Sequence, residues 1–119
     1  NAIEAANALG IENIKVACIA AKEKVNPKMQ ATVDGELLQK ASIEGKFGKN
    51  VIVEGPLSLD IALSKEASKI KGFKSKVSGD TDILLMPTIE AGNGVGKSFI
   101  EIEHFLETGN FYLWDKISM

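Results

Sequence analysis

Short apolar runs alternate along this chain with stretches in which apolar residues recur every three or four positions, and the alternation organises the whole sequence. Val16-Ala17-Cys18-Ile19-Ala20 is apolar throughout and bounded by polar residues, as a strand buried on both faces requires. Val51-Ile52-Val53 and Asp82-Ile83-Leu84-Leu85-Met86 repeat the pattern, the first followed by Gly55-Pro56 and the second stopped by Pro87. Helical periodicities lie between them. Ile3, Ala6 and Leu9 read as the last turns of a helix closed by Gly10, and Leu37, Leu38 and Ala41 as the inner face of a helix over 34–44 that Gly45 ends. The most sharply punctuated helix starts at Ser58, a cap, with Asp60 at the positive end of the dipole. Leu59, Ala62, Leu63, Ala67 and Ile70 keep helical spacing before Lys69, Lys71 and Gly72 close it. A further helix fits Val95, Phe99, Ile102 and Leu106 and ends near Gly109; Phe111-Tyr112-Leu113-Trp114 reads as a last strand.

Helix and strand thus alternate, and the strands are apolar at every position instead of every second one. That pattern predicts an α/β fold of three αβα layers, with a mostly parallel sheet and right-handed crossovers. In such sheets ligands collect at the carboxyl ends of the strands. Three connections are singled out by position: Lys22 to Lys28, Glu54 to Ser58 and Pro87 to Ser98.

Composition narrows the field. The 119 residues suffice for one core, so a single α/β domain over 1–119 is expected, and 45% apolar with 25% charged residues is a globular balance. A net charge of −2 with interspersed lysines offers no stripe to nucleic acid. No apolar run reaches the roughly 18 residues of a membrane span, and Asn1-Ala2-Ile3-Glu4 has no signal-peptide character, so the expected location is the cytoplasm. The single cysteine, Cys18, sits in an apolar run as a structural thiol. All 14 basic residues are lysines. Planar, bidentate recognition of phosphate is mainly the work of arginine, so a phosphate site here uses lysine, backbone amides or groups from elsewhere.

The segment Pro87 to Ser98 carries Gly92, Gly94 and Gly96 followed by Lys97-Ser98, which reads as a loop opening a helix, an anion site for phosphate or pyrophosphate. Ala91 to Ser98 also loosely matches a nucleotide-binding P-loop, although Pro87 to Glu90 intervene after the strand. An ordinary strand-to-helix turn explains the same glycines. Around Glu54 to Asp60, Ser58 could meet an anion or simply cap a helix, and the sequence leaves both open. His104 with Glu101, Glu103 and Glu107 is a solvated helical face, with no metal site, and Asp80 and Asp82 mark a turn into a strand.

Three stretches taken together carry a resemblance. Val25-Asn26-Pro27-Lys28-Met29 with Ala31-Thr32, then Gly55-Pro56-Leu57-Ser58-Leu59-Asp60 through Lys71-Gly72, then Asp82 to Pro87 with Ile89-Glu90-Ala91-Gly92-Asn93, resemble the phosphate acetyltransferase and phosphate butyryltransferase family, closest to its butyryl and branched-chain members. The resemblance runs from the first residue to about Ile100. It implies an isocitrate/isopropylmalate dehydrogenase-like fold, and an acyl group transferred between coenzyme A and inorganic phosphate to give an acyl phosphate. No cofactor is implied, since the coenzyme A thioester is the substrate. It further implies partners limited to acyl-CoA and phosphate, with no nucleic acid and no membrane, in a homo-oligomer of two-domain subunits.

Carried over by position, Glu90, Gly92 and Asn93 would face the cleft, Lys97 and Ser98 would stand close behind, and Gly55, Pro56 and Leu57 would border it. The stretch corresponds to the second domain. The arginines and the serine-arginine-acid segment that supply much of the family's catalysis do not occur in it, so the catalytic residues stay unassigned and a truncated, inactive fragment is expected. Thr88 stands where relatives often carry an acid or amide, and 101–119 is a divergent tail. Two other readings remain: a folded, non-enzymatic remnant acting as an oligomerisation module, and the P-loop-like nucleotide binder.

Overall fold

A computed structural model describes the backbone of residues 1–108 and the side chains of 1–103. The expected strand at Phe111–Trp114, the helix end near Gly109 and the surroundings of His104, Leu106 and Glu107 lie outside the described residues. The chain divides into two compact units, Asn1–Pro87 and a second beginning at Thr88.

In the first unit the elements run α1 (Ala2–Ala8), β1 (Ile14–Ile19), α2 (Gln30–Ile43), β2 (Val51–Leu57), α3 (Leu59–Leu63), α4 (Lys65–Ile70) and β3 (Ile83–Leu85). The strands form one parallel sheet in the order β2-β1-β3. This is the α/β architecture that the apolar strands imply. Alternate residues of each strand feed two cores. On one face Ile14, Val16, Cys18, Val51 and Val53 pack with Ala6 of α1 and Leu38 of α2. On the other, Ala17 and Leu57 pack with Ile61, Ala62 and Val77. An irregularity between Ala17 and Ile19 in the β1–β2 register lets Leu57 point opposite to Val51 and Val53.

The structure corrects three sequence readings. Strand β2 does not stop at Val53; it continues through Gly55-Pro56, whose peptide bond is cis, to Leu57. The helix read from Ser58 to Ile70 is two short helices broken at Ser64, whose extended backbone (φ −132°, ψ 116°) ends α3 while its hydroxyl accepts from the Ala67 N–H at 3.2 Å to cap α4. The carbonyl of Ser64 is also taken, by the Ser78 hydroxyl at 3.0 Å. Tertiary bonding to a segment fourteen residues away thus overrides a continuous helical pattern, and Leu63 and Ile70 end up exposed.

The third correction concerns which side of α2 faces the sheet. Leu37, expected on the inner face, is 58% exposed, whereas Thr32 and Gly35 are buried and Ser42 and Gln39 reach the sheet. Gly35 is needed because a Cβ there would lie 3.0 Å from the Pro56 Cα, and one on Gly55 would lie 2.6 Å from the Cys18 Cβ. Two facing glycines let α2 settle directly on the backbone of β2.

The second unit, by itself, is α5 (Ile89–Thr108). The Thr88 hydroxyl accepts from the Ala91 N–H at 3.1 Å and its carbonyl from the Gly92 N–H at 3.0 Å, so the helix starts at once. The expected glycine-rich loop is therefore helix.

Candidate functional site

The carboxyl ends of β1 and β2 carry a bonded polar group built from four residues. Ser58 follows β2, and its hydroxyl lies 3.0 Å from Glu23 Oε1 and 2.6 Å from Asp60 Oδ1. Lys71, at the end of α4, places its ammonium 3.0 Å from Asp60 Oδ2 and 3.3 Å from Glu23 Oε1. The Ser58 hydroxyl has one proton for two carboxylates, and the lysine holds both acids together. The Ser58 hydrogen bond first and the Lys71 ammonium second bring the Asp60 carboxyl down to about 2, and Asp60 in turn raises Lys71. Both stay ionised across the neutral range.

Sequence reasoning had Ser58 as either a helix cap or an anion contact. Its side chain makes no cap bond to α3, and it is committed to Glu23 and Asp60. Glu23 lies in the connection after β1 and Lys71 in the second family motif, but nothing in the sequence pairs them; they lie 48 positions apart and meet where α4 ends beside the strand end.

Gly55, Pro56 and Leu57 are all buried in β2, Gly55 against Cys18 and Gly35 and Leu57 within the core on the α3 face. Glu90, Asn93 and Lys97 fall on one side of α5 at helical spacing, with Gly92 in the same helix and the Ser98 hydroxyl donating to the Gly94 carbonyl at 2.5 Å. Ala91 to Ser98 is helical and none of its glycines has a positive φ, so the backbone cannot fold around a phosphate as a P-loop does. That corrects the nucleotide-binder reading.

At the opposite end of the sheet, Asp80 bridges Lys65 at 2.9 Å and Lys15 at 3.7 Å, and the Lys65 hydrogen bond is the main cause holding its carboxyl below the usual range. Asp82 accepts from the Lys15 N–H at 2.9 Å and donates its own N–H to the Lys15 carbonyl at 2.8 Å, which sets the β1–β3 register. These groups anchor β3. Among the described residues no set of three His, Cys, Asp or Glu side chains is placed to hold a metal ion, and no helix is long and apolar enough to cross a membrane.

The α/β fold is shared with known transferases. A family model described as "Phosphate acetyl/butaryl transferase" matches residues 1–112, past the point near Ile100 where the sequence motifs end. Over 98 residues the chain is 51% identical to the phosphate butyryltransferase of Clostridium acetobutylicum and 44% identical to the phosphate acetyltransferase of Thermotoga maritima, covering 82% of this chain in both cases. The crystal structure of a branched-chain phosphotransacylase from Enterococcus faecalis V583 superposes with a TM-score of 0.77 at 38% identity, over 87% of this chain and 37% of that one. The EutD phosphotransacetylase from Staphylococcus aureus, at 23% identity and a TM-score of 0.69 over 86% of this chain and 31% of that one, shares the fold. The class is therefore the α/β phosphotransacylases. The chain belongs to the phosphate acetyl/butyryl transferase family, and it spans about a third of the length of the curated relatives it matches.

Proposed function

We propose that this chain is a second-domain portion of a cytoplasmic, homo-oligomeric phosphate acyltransferase that moves a short acyl group between coenzyme A and inorganic phosphate. A phosphate oxygen attacks the thioester carbonyl, the carbon–sulfur bond breaks, and coenzyme A leaves as the thiolate while the acyl phosphate forms. Such a reaction needs cations to position the phosphate and to steady the carbonyl oxygen as it gains charge. With no arginine among its 119 residues, the chain can offer lysine, and Lys97 shares one side of α5 with Glu90 and Asn93. Those three, with Gly92 and Ser98, are the candidate substrate-facing residues; Gly55, Pro56 and Leu57 act from beneath by setting the shape of the strand end.

The observation that carries this reading is the 51% identity across 98 residues with a phosphate butyryltransferase, in a chain whose sheet superposes on a phosphotransacylase. The test is a chimera: residues 1–98 of this chain replace the matching segment of the Clostridium acetobutylicum enzyme, and acyl phosphate is trapped with hydroxylamine. Retained butyryl phosphate formation is expected, with none from the 119-residue chain alone. A folded chimera that binds coenzyme A and makes no acyl phosphate would overturn the reading.

A further inference from the structure

A cavity of about 380 Å³ opens between the first half of α2 and the carboxyl ends of β1 and β3. Its walls include Ile19, Ala31, Leu37, Leu38, Leu85 and Met86, and its only acidic side chain is Asp34, which already accepts from Gln30 Nε2 at 2.8 Å. Leu37 and Leu85 remain 58% and 43% exposed, so apolar surface is held open there instead of being packed away.

The cavity has a structural origin. Because Gly35 and Gly55 lack side chains, α2 sits close to β2, and the space it leaves open toward β3 is lined by Ala31, Leu38 and Leu85. The floor is Cys18, whose thiol is pushed up to about 11 by burial and so stays neutral. The other large cavities of this unit differ: one along β2 is lined by Glu54, Lys74 and Lys76, and another by Lys65, Lys69, Lys74 and Lys76. A smaller apolar one of about 180 Å³ lies farther back, toward Ile3 and Phe47. Of these four cavities, the one over Cys18 combines apolar walls, the volume of a small-ligand site and a place at the strand carboxyl ends, where α/β sheets bind ligands.

We infer that this cavity receives the hydrocarbon tail of a short-chain acyl thioester and that Leu37, Leu38, Leu85 and Met86 set the chain length accepted. The inference rests on the acyltransferase reading and adds a subsite to it. An acetyl group is too short to bury much of these walls; each added methylene placed against them strengthens binding about fourfold. The site therefore favours butyryl over acetyl thioesters.

The test uses the 119-residue chain in two titrations. In the first, coenzyme A, acetyl-CoA and butyryl-CoA are compared by calorimetry. In the second, S-acetyl- and S-butyryl-N-acetylcysteamine, which lack the nucleotide, are followed by backbone amide shifts. Butyryl probes are expected to bind roughly tenfold more tightly than acetyl ones, with shifts at Ala31, Leu37 and Leu85. Leu37→Asp should abolish that preference, and Ile43→Asp, on the same helix but outside the cavity, should leave it intact.

Length-dependent binding of the cysteamine thioesters without any binding of coenzyme A would keep the acyl subsite and count against the acyltransferase reading. Coenzyme A binding with no butyryl preference, or shifts away from these residues, would overturn the subsite alone. So would sedimentation showing a dimer that Leu37→Asp dissociates, since the groove would then be an interface between copies.

Discussion

Among the described residues β2 and β3 are the outer strands of one sheet, and their outward-facing backbone groups are treated differently. Along β2, the Ser42 hydroxyl accepts from the Val53 N–H at 3.0 Å and lies 3.3 Å from the Val51 carbonyl, while Gln39 Oε1 accepts from the Gly55 N–H at 3.0 Å. Val51, Val53 and Gly55 are the residues whose backbone turns away from β1, so two side chains of α2 stand in for an absent neighbouring strand. Within Asn1–Pro87 no side chain does this for Leu84, the residue of β3 whose backbone turns away from β1, and β3 is only three residues long. One edge is closed by design of the helix above it; the other is kept short. The lesson is that a polar stripe on a helix can be a contact surface when what it faces is a strand edge.

The largest effect is expected where that closure begins. Gly55→Ala puts a Cβ 2.6 Å from Cys18 and 3.0 Å from Gly35, lifting α2 off the strand and withdrawing both Gln39 and Ser42. Urea unfolding should show a loss of about 3 kcal/mol, and a loss under about 1 kcal/mol would mean that α2 does not depend on this close approach. Ser42→Ala keeps the packing and removes only the surrogate bonds. It should cost about 1–2 kcal/mol and speed amide exchange at Val53, and unchanged exchange there would show the edge to be closed by packing alone. The smallest effect belongs to β3. The Leu84 N–H is turned away from β1 and has no surrogate partner within Asn1–Pro87, so its amide should exchange faster than that of Val53 in the unaltered chain. Protection at Leu84 equal to that at Val53 would erase the contrast between the edges.

Much of the fold could be read in the sequence because parallel, doubly covered strands must be apolar at every position, and Ile14–Ile19 and Ile83–Leu85 fall within two residues of the runs that announced them. What could not be read depends on partners distant in sequence. Of the expected inner face, Leu38 packs on the sheet and Leu37 does not; α2 also meets the sheet through Gly35, Gln39 and Ser42, because what it covers includes a glycine and two open peptide groups. The break at Ser64 needs Ser78, and the grouping of Glu23 with Lys71 needs the return path of α4. For the candidate site, the motifs Gly55-Pro56-Leu57 and Glu90-Ala91-Gly92-Asn93 were legible as a family signature, while the helical state of the second was not. Gly92, Gly94 and Gly96 lower helix propensity, and the Thr88 cap outweighs them.

Cys18 is the only thiol in the chain, and it is buried between β1, Gly55 and the floor of the apolar cavity. A thiol reagent in mildly alkaline solution meets it from the cavity or when α2 lifts from the strand, and meets it slowly, because the enclosed sulfur is both shielded and protonated. The molecule thus carries its own clock: the pace at which that one sulfur is consumed slows when the cavity is occupied and quickens when helix and strand part company, without any added dye or label.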